Sequence, residues 1–432
     1  MDWKGENRLR QIWLETAFFL VFAMISFIKV FLPASPAFAG DLILKDLIDQ
    51  ALEKNPDVLA SQWRATAAKH RIPSARTLPD PMFMLGYQNE GFSRYNYGES
   101  EDAQWMVSAS QMFPFPGKLA LKGQMAEWDA RSLSDSAEGV KFKTISRIKE
   151  LYFELLLAYK DIDILRDRAG LFTAIEEAAL ARYAAGKGIQ QEVLMAQTEK
   201  YMLAEREEML RQRIQSLEAM INSGVGRRVD SPLGRPVEPE PLDYPFTLDQ
   251  LLAAAPEQSP EIQSREKMIG TSETKVKMAQ KEYYPDVTLA ANYFARGGDF
   301  PDMWSLTATI NVPIFYKTKQ DQGVLEAIAS LSEARQEFEG AKLMVASTLR
   351  DSHSMVKTAE KLMALYREGL VPKNQQDVEA AMAGYVSGQV EAITVISRVK
   401  ALLDTELLYW RQFAEREKAI ARIEGLLGES VK

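Results

Sequence analysis

The sequence predicts an α+β membrane protein in which a few β-strands are joined to very long helices. The same order of motifs occurs twice, since Leu78-Pro79-Asp80 returns as Tyr284-Pro285-Asp286 and the segment 113–118 returns as 312–317. Each copy also changes from helical periodicity to the two-residue alternation of strands and back again. A unit of about 180 residues is longer than a solenoid repeat of about 20–50 residues. The two halves are therefore interpreted as an internal duplication that builds one pseudo-symmetric object.

The N-terminus has the features of a secretory signal peptide at residues 1–39. A basic region precedes an apolar run at 16–28, and a small-x-small cleavage pattern follows at Ala37-Phe38-Ala39. We therefore expect the mature chain to begin at Gly40. A retained anchor is the alternative, but Lys29 ends the apolar run before the ~20 residues that a helical span needs. Since no other segment is apolar enough to cross as a helix, the exported chain either dissolves in the periplasm or enters the outer membrane as strands.

Composition narrows the classes of protein further. The chain has no cysteine, so stability is expected to come from packing or assembly rather than from disulfides. A lipid anchor on an N-terminal cysteine is excluded for the same reason. The net charge is −8 and charges of both signs are interspersed, which argues against nucleic acid as a partner.

Each copy is expected to open with two shorter helices. The first spans 44–54 in the first copy and ends at Asn55-Pro56, for which the second copy has Ser259-Pro260. Proline is tolerated in the first turn of a helix, so these steps predict helix starts. The second helix runs to about Thr77, or to about Tyr283 in the second copy.

Hairpins are predicted at about 82–113 and about 287–312. In the clearest strand, apolar positions expected to face lipid alternate with polar positions expected to line a lumen. The lipid-facing set is Trp304, Leu306, Ala308 and Ile310; the lumen-facing set is Ser305, Thr307, Thr309 and Asn311. A soluble, half-buried sheet is the alternative interpretation. Strand lengths of about 9–10 residues favour the membrane, as do aromatic residues near the loop ends: Tyr87, Trp105, Tyr293 and Trp304.

Long helix pairs follow each hairpin, at about 118–222 and about 318–428. Roughly 65 helical residues reach on the order of 100 Å, which no globular core requires. Glycine-containing turns at 185–188 and 387–388 reverse the chain, and Pro372 predicts a local break. The organisation is therefore a first repeat at 40–226, a proline-rich linker at 227–246, a second repeat at 247–428 and a tail at 429–432.

Four strands are too few to close a barrel. Outer-membrane barrels have at least eight strands, and lipid excludes open sheet edges. The hairpins therefore require oligomerisation, with eight strands from two chains or twelve from three. A membrane barrel continued by long helices predicts a conduit across the periplasm.

These features together resemble the TolC-like outer-membrane efflux family. The resemblance covers about Leu42 to Gly428 and rests on the duplicated module, on the strand exit from Ser110 through Lys118, and on paired Tyr-x-x-Gly turns. The stretch from Leu78 through Lys118 is most similar to the branch that serves heavy-metal efflux pumps. The resemblance implies a homotrimer: an outer-membrane β-barrel with four strands per chain, continued by a long periplasmic α-helical barrel, in a Gram-negative bacterium.

The resemblance also implies a function and partners. The chain is expected to be the outer-membrane channel of a tripartite efflux or type I secretion system, a passive exit duct for metal ions or small toxic compounds. A periplasmic adaptor protein and an inner-membrane pump are its implied partners, with lipid around the barrel. The helical turns are the implied adaptor-docking tips: Tyr183, Gly186, Val193, Tyr385, Gly388 and Val395. A soluble periplasmic coiled-coil scaffold is the alternative function.

No catalytic constellation and no cofactor site is predicted. His70 and His353 lie in helical sequence with charged neighbours and are interpreted as surface residues. Methionine thioethers are soft metal ligands but also common packing groups, so the methionines opposite the apolar strand faces remain open between the two roles; they are Met82, Met84, Met106 and Met112.

The family's acidic constriction after the second tip is not expected here. Thr394 and Ser397 occupy the matching positions, which leaves Glu192 and Glu391 as weak substitutes. The residues that gate the channel are therefore not fixed by the resemblance.

Overall fold

A computed structural model describes residues 40–239 and 244–428. The predicted signal peptide and the tail at 429–432 lie outside the described residues, as does part of the linker, residues 240–243. The chain divides into two compact units. In the smaller unit, which includes 232–235, the amide of Leu42 donates to the carbonyl of Arg235 at 2.8 Å. The larger unit, 43–231 and from 236 onward, carries the long helices and the sheet.

The elements of the larger unit repeat one order, two short helices, a hairpin and long helices. In chain order they are α1 (Leu44–Lys54), α2 (Pro56–Arg76), β1 (Met82–Gln88), β2 (Gln104–Phe113), α3 (Lys118–Ala184), α4 (Gln190–Gly224), α5 (Leu248–Gln258), α6 (Pro260–Lys281), β3 (Val287–Ala295), β4 (Met303–Ile310), α7 (Gln320–Leu365), α8 (Val371–Ser387) and α9 (Ala392–Leu427).

The short helices begin where the proline steps predict. Asn55 caps α2 by accepting hydrogen bonds from the amides of Asp57 and Val58, and Pro56 occupies the first turn. The Asn55 side chain also donates to the carbonyl of Gly224 at 2.7 Å. One residue therefore starts α2 and satisfies an end carbonyl of α4, which brings these two helix ends together.

The four strands form one antiparallel sheet in the order β1-β2-β3-β4. The two hairpins have the same register relative to the repeated motifs. Met82 pairs with Ser110 in the first hairpin, and Thr288 pairs with Thr309 in the second. The repeat offset is 206 positions at Pro79/Pro285, which shifts Met82 to Thr288, and 199 positions at Pro114/Pro313, which shifts Ser110 to Thr309. The pairing therefore matches the repeat residue by residue.

One strand is shorter than predicted. β4 ends at Ile310, so Asn311, expected at a lumen position, lies beyond the strand. The amide of Asn311 still donates to the carbonyl of Asp286 at 3.3 Å. The ladder stops there because Pro313 has no N–H with which to continue it.

The long helices differ in continuity. Helix α3 runs without a break for 67 residues, a length of about 100 Å at 1.5 Å per residue. The break predicted at Pro372 is confirmed, because a π-helical segment at Tyr366–Leu370 separates α7 from α8. Pro372 cannot donate to the carbonyl of Glu368, and the amide of Val371 bonds instead to the carbonyl of Tyr366.

Helix α3 is the central packing element, since it contacts α2, α4, α6 and α9. Apolar residues spaced three or four positions apart along it, or seven, are buried: Ile148, Tyr152, Leu155 and Ile162. Each fully buried aliphatic side chain contributes roughly 1.5–3 kcal/mol relative to an exposed one. Within the described parts of the chain, no helix combines the length and the apolar character needed to span a bilayer.

Candidate channel wall and helical tips

One face of the sheet is apolar across all four strands except at Gln111, which lies in the row of Leu289 and Ala308. In one row, Leu306 pairs with Ala291 and Ala291 pairs with Ala109. Phe83 completes this row on β1. Leu306 is 73% exposed and Phe83 77%, so the chain itself does not cover this face. The adjacent row consists of Trp304, Tyr293, Val107 and Leu85. The predicted lipid-facing residues Trp304, Leu306, Ala308 and Ile310 share this face, and their contact with lipid remains a prediction.

The opposite face carries small polar side chains and methionines. The predicted lumen residues Ser305, Thr307 and Thr309 lie on it, and the side-chain Nδ2 of Asn292 donates to the Ser305 hydroxyl at 3.1 Å. The four methionines named from the sequence share this face. Strand pairing adds Met303, which the sequence analysis did not include, in a row with Phe294, Met106 and Gly86.

Aromatic residues lie together at the loop end of the sheet. Tyr87 contacts Tyr95 and Trp105, with ring centroids 4.9 and 5.1 Å apart. The Tyr293 hydroxyl donates to the carboxylate of Asp302 in the second loop. Rings that combine an apolar body with a polar group suit a membrane interface. The sequence predicted this position for Tyr87, Trp105, Tyr293 and Trp304, but not for Tyr95.

At the other end of the long helices, two turns have the same backbone. Gly186 has φ +70° and Gly388 has φ +81°, a conformation that other residues adopt only with strain. In each turn the glycine amide donates at 3.0 Å to the carbonyl of the tyrosine three residues earlier. The glycines are therefore required by the turns themselves.

A hydrogen-bonded cluster connects the two tips, and we call Arg182, Glu192 and Tyr385 the tip clasp. The Arg182 guanidinium donates to the carbonyl of Tyr385 at 2.9 Å and lies 4.9 Å from the centroid of its ring. The Tyr385 hydroxyl donates to the Glu192 carboxylate at 3.1 Å. Arg182 also bonds the carbonyl of Lys187 at 3.3 Å in its own turn. These contacts fasten the α8–α9 hairpin to the α3–α4 hairpin.

Burial gives the clasp its electrostatic character. Tyr385 is fully buried, and this burial, together with the negative charge of Glu192, raises the pKa of its hydroxyl to about 12. The hydroxyl therefore remains a proton donor at neutral pH. A bond between a buried donor and a carboxylate is stronger than one between neutral groups.

Three residues of the predicted docking set are buried in the structure. Val193 is 8% exposed, whereas Val395 and Tyr385 are 0% exposed, because all three pack in the apolar core between the hairpins. Direct contact with a partner is therefore excluded for them in this conformation. Tyr183 is 48% exposed, and Gly186 and Gly388 are exposed in their turns.

Sequence reasoning missed Arg182 and the exposed apolar residues of the tips. Arg182 occupies the position that Gly384 has in the second copy, so comparison of the copies would have marked it. The exposed apolar side chains need the structure to be recognised, since helical periodicity alone leaves their burial open; they are Leu180, Ile189, Leu194, Val386 and Ile393.

Other predicted polar positions have local roles. Ser397 donates to the carbonyl of Thr394 at 2.7 Å, a bond within α9. Of the two glutamates considered as substitutes, Glu192 belongs to the clasp, while Glu391 precedes α9 and is exposed.

The two histidines differ in exposure. His70 is exposed as expected. His353 is partly buried with its Nε2 3.2 Å from the carbonyl of Phe246, which corrects its assignment to the surface. Within residues 40–239 and 244–428, no group of three or more His, Cys, Asp or Glu side chains is arranged to hold a metal ion.

A four-stranded sheet with one apolar face, joined to paired long helices, is the architecture of outer-membrane efflux channels. The chain belongs to the outer membrane efflux protein family, whose model matches residues 47–226 and 251–429. The predicted resemblance and the predicted outer-membrane location are thereby confirmed.

Individual relatives are distant. The cobalt-zinc-cadmium resistance protein CzcC of Cupriavidus metallidurans is 21% identical over 401 residues, which cover 90% of this chain and 91% of that protein. The outer membrane protein VceC of Vibrio cholerae is similar in structure, with a TM-score of 0.77, 18% identity and coverage of 90% of this chain and 97% of VceC. CusC has a TM-score of 0.73, 16% identity and coverage of 92% and 95%. At these identities the structural similarities show the fold alone.

Proposed function

We propose that three copies of this chain form a passive exit duct, without enzymatic activity, across the outer membrane and the periplasm. The main observation that supports this proposal is the sheet. It has an uncovered apolar face and two edge strands, β1 and β4, each of which pairs with only one other strand. Lipid excludes such edges, so the sheet requires further copies. Three copies supply twelve strands, an even number within the range of bacterial outer-membrane barrels.

The repeated architecture supports an internal duplication as the origin of this chain. The order of elements and the hairpin register recur in both halves, and Gly186 and Gly388 close both tips with positive φ. In a trimer, two similar halves per chain place six similar units around one axis. A ring of nearly equal units is suited to enclosing a lumen.

The tips are proposed as the place where a periplasmic adaptor meets the duct. Their exposed apolar side chains are concentrated around the two turns, and isolated copies have nothing to cover them. The tip clasp is proposed to hold this end closed. An adaptor that binds the separated tips more tightly than the clasped ones would shift the equilibrium to the open duct.

For cargo, we propose divalent metal ions delivered by an inner-membrane pump. Support comes from CzcC, whose name records resistance to cobalt, zinc and cadmium. A duct touches its cargo only briefly, so selectivity belongs mainly to the pump. The methionine-bearing face of the sheet is compatible with passage of metal ions and is not proposed as a storage site.

Fractionation and mass measurement test the duct. The full chain is expected in the outer-membrane fraction, extracted only by detergent, with a protein mass of three chains by light scattering. Recovery in the soluble periplasm without detergent would instead support the coiled-coil scaffold. A deletion strain should become sensitive to cobalt, zinc or cadmium and recover on complementation. If the deletion strain became sensitive only to drugs, the proposal of an exit duct would stand and the proposal of metal ions as its cargo would be rejected.

A further inference from the structure

At the base of the sheet, the end of the first hairpin is covered by the beginning of the second. Phe115 stacks on Tyr284 with ring centroids 4.4 Å apart, and the Lys281 ammonium lies 5.3 Å from the Phe115 ring. The Phe115 amide donates to the Asp286 carboxylate at 2.7 Å. Lys118, only 3% exposed, lies 3.0 Å from the same carboxylate. We call this contact the intrachain junction.

The Asp286 carboxylate is the electrostatic centre of this junction. Partial burial opposes its ionisation, but the bonds from the Phe115 amide and from Lys118 outweigh this cost and lower its pKa. The junction is therefore a built contact between the exit of one hairpin and the entry of the next.

The corresponding exit of the second hairpin is uncovered. Ile314 occupies the position of Phe115, and Lys317 occupies that of Lys118. Ile314 is 69% exposed, the neighbouring Phe315 is 71% exposed, and Lys317 is exposed. The Ile314 amide donates to the carbonyl of Val312 at 3.0 Å, whereas the Phe115 amide donates to a carboxylate.

The corresponding entry of the first hairpin is uncovered as well. Asp80 occupies the position of Asp286, and Leu78 that of Tyr284. Asp80 is exposed and Leu78 is 40% exposed. Among the described residues, neither Asp80 nor Lys317 forms an ion pair. The chain therefore has two uncovered segments, 78–80 and 312–317, which correspond to the two sides of the intrachain junction.

We propose that a second copy of this chain completes this contact, with its Asp80 bound by Lys317 and its Leu78 packed on Ile314. The inference rests on the proposed assembly and adds its contact residues and its register. Opposite charges and facing apolar groups make the two halves complementary. The junction within the chain supplies the geometry.

The strand register follows from the same correspondence. Within the chain, β2 pairs with β3 so that Ala109 lies opposite Ala291 and Ser110 opposite Ala290. Shifted by the repeat offsets, these pairs become Ala308 opposite Leu85 and Thr309 opposite Met84 of the neighbouring copy. The first pair lies on the apolar face and the second on the polar face, so both faces continue across the boundary. A slip of one residue would reverse the faces.

The contact between copies is expected to be weaker than the intrachain junction. In the intrachain junction, the Glu282 carboxylate also lies 3.3 Å from the Lys118 ammonium. Ala75 and Arg76 occupy the positions of Lys281 and Glu282 in the first copy, so the cation over the ring and this second carboxylate are absent there. Arg76 is paired with Glu127 of its own chain at 2.8 Å. The electrostatic attraction between the two copies at this contact is then expected to come from the single Lys317–Asp80 pair.

Disulfide formation tests the register, because the chain has no natural cysteine. Two double variants are compared: Ala308→Cys with Leu85→Cys, and Thr309→Cys with Met84→Cys. Adjacent rows alternate between closer and more distant Cβ pairs, so at least one variant meets the geometry of a disulfide. The control is Ala308→Cys with Phe83→Cys, on the same face but two residues out of register. Light scattering in detergent measures assembly of each variant before oxidation.

The expected result is covalent dimers and trimers from an in-register variant and only monomers from the control after denaturation. Assembled trimers that crosslink only in the control would overturn the register while retaining the duct. Assembled trimers without crosslinks in any variant would mean that segment 312–317 faces lipid rather than a neighbouring copy. This result would overturn the proposed contact between copies. Monomers throughout, in variants and unmodified chain, would reject the assembly itself.

Charge reversal tests the ion pair separately. Lys317→Asp and Asp80→Lys should each reduce the fraction of trimer that survives heating in detergent, and the double variant should restore most of it. Both residues are exposed in the single chain, so neither reversal should prevent folding. A double variant no better than the single ones would overturn the pairing.

Discussion

Removal of one hydroxyl group in the tip clasp tests the proposed gate most directly. Tyr385→Phe keeps the buried ring and its contact with the Arg182 guanidinium but removes the donor to Glu192. A hydrogen bond to a charged group contributes about 1.5–3 kcal/mol. Since about 1.4 kcal/mol corresponds to a factor of ten, the ratio of closed to open tips should fall at least tenfold per copy.

The chain provides a matched control for this substitution. Tyr183 occupies the same position in the first tip, makes the same backbone contact to its glycine, and is 48% exposed. An exposed hydroxyl exchanges protein contacts for water at little cost. Tyr183→Phe should therefore change the free-energy difference between closed and open tips by less than about 0.5 kcal/mol. Any effect of tyrosine chemistry in general would appear in both variants.

Single-channel conductance in planar bilayers measures the result. The Tyr385→Phe trimer should show longer or more frequent high-conductance openings than the unmodified trimer, and Tyr183→Phe should not. In cells, the same variant should admit a large antibiotic that the outer membrane normally excludes. Equal conductance of both variants, or an unchanged Tyr385→Phe trimer, would refute the clasp as a gate.

Three further predictions concern the barrel, the helices and the turns. Leu306→Arg should cost roughly 2–4 kcal/mol and Thr307→Arg little, measured as heat-resistant trimer; equal tolerance would contradict the assigned faces. Burial raises the pKa of Asp161 to about 6, so Asp161→Asn should stabilise the protein by about 2–3 kcal/mol above that pH. This gain should fade as the pH falls from 6 towards 4 and the natural carboxylate takes up its proton; a thermal midpoint difference independent of pH would disprove it. Leucine at Gly186 and Gly388 should each add about 1–2 kcal/mol of strain and abolish export without preventing assembly; normal export by the double variant would place docking elsewhere.

Local rules account for what the sequence predicted well. Proline and its preceding residue determine the start of α2, and the missing N–H of Pro372 determines the π-helical break. The alternation of side chains assigned the faces of residues 304–310 in β4, because a strand has a strict period of two. These features depend on neighbours within a few positions, so the sequence contains them directly.

Contacts between distant segments account for what it did not predict. Val193 and Val395 lie near the turns in sequence and were expected at a docking surface, yet the packing of one hairpin on the other buries both. The partial burial of His353 likewise depends on Phe246, more than one hundred positions away. Helical periodicity gives the spacing of an apolar stripe but leaves open which neighbour covers it.

The clasp shows why a duplicated chain does not make two equal tips. Local turn chemistry is the same in both copies, since each needs a glycine with positive φ after a tyrosine. The clasp, however, uses Arg182 and Glu192 from the first copy, where the second has Gly384 and Thr394. Both copies have the tyrosine of the clasp, since Tyr183 corresponds to Tyr385, but only the first copy has the arginine and the glutamate that bind it. The replacement of these two residues by Gly384 and Thr394 therefore leaves the second tip unable to form an equivalent clasp with a further tyrosine, and Tyr183 stays 48% exposed.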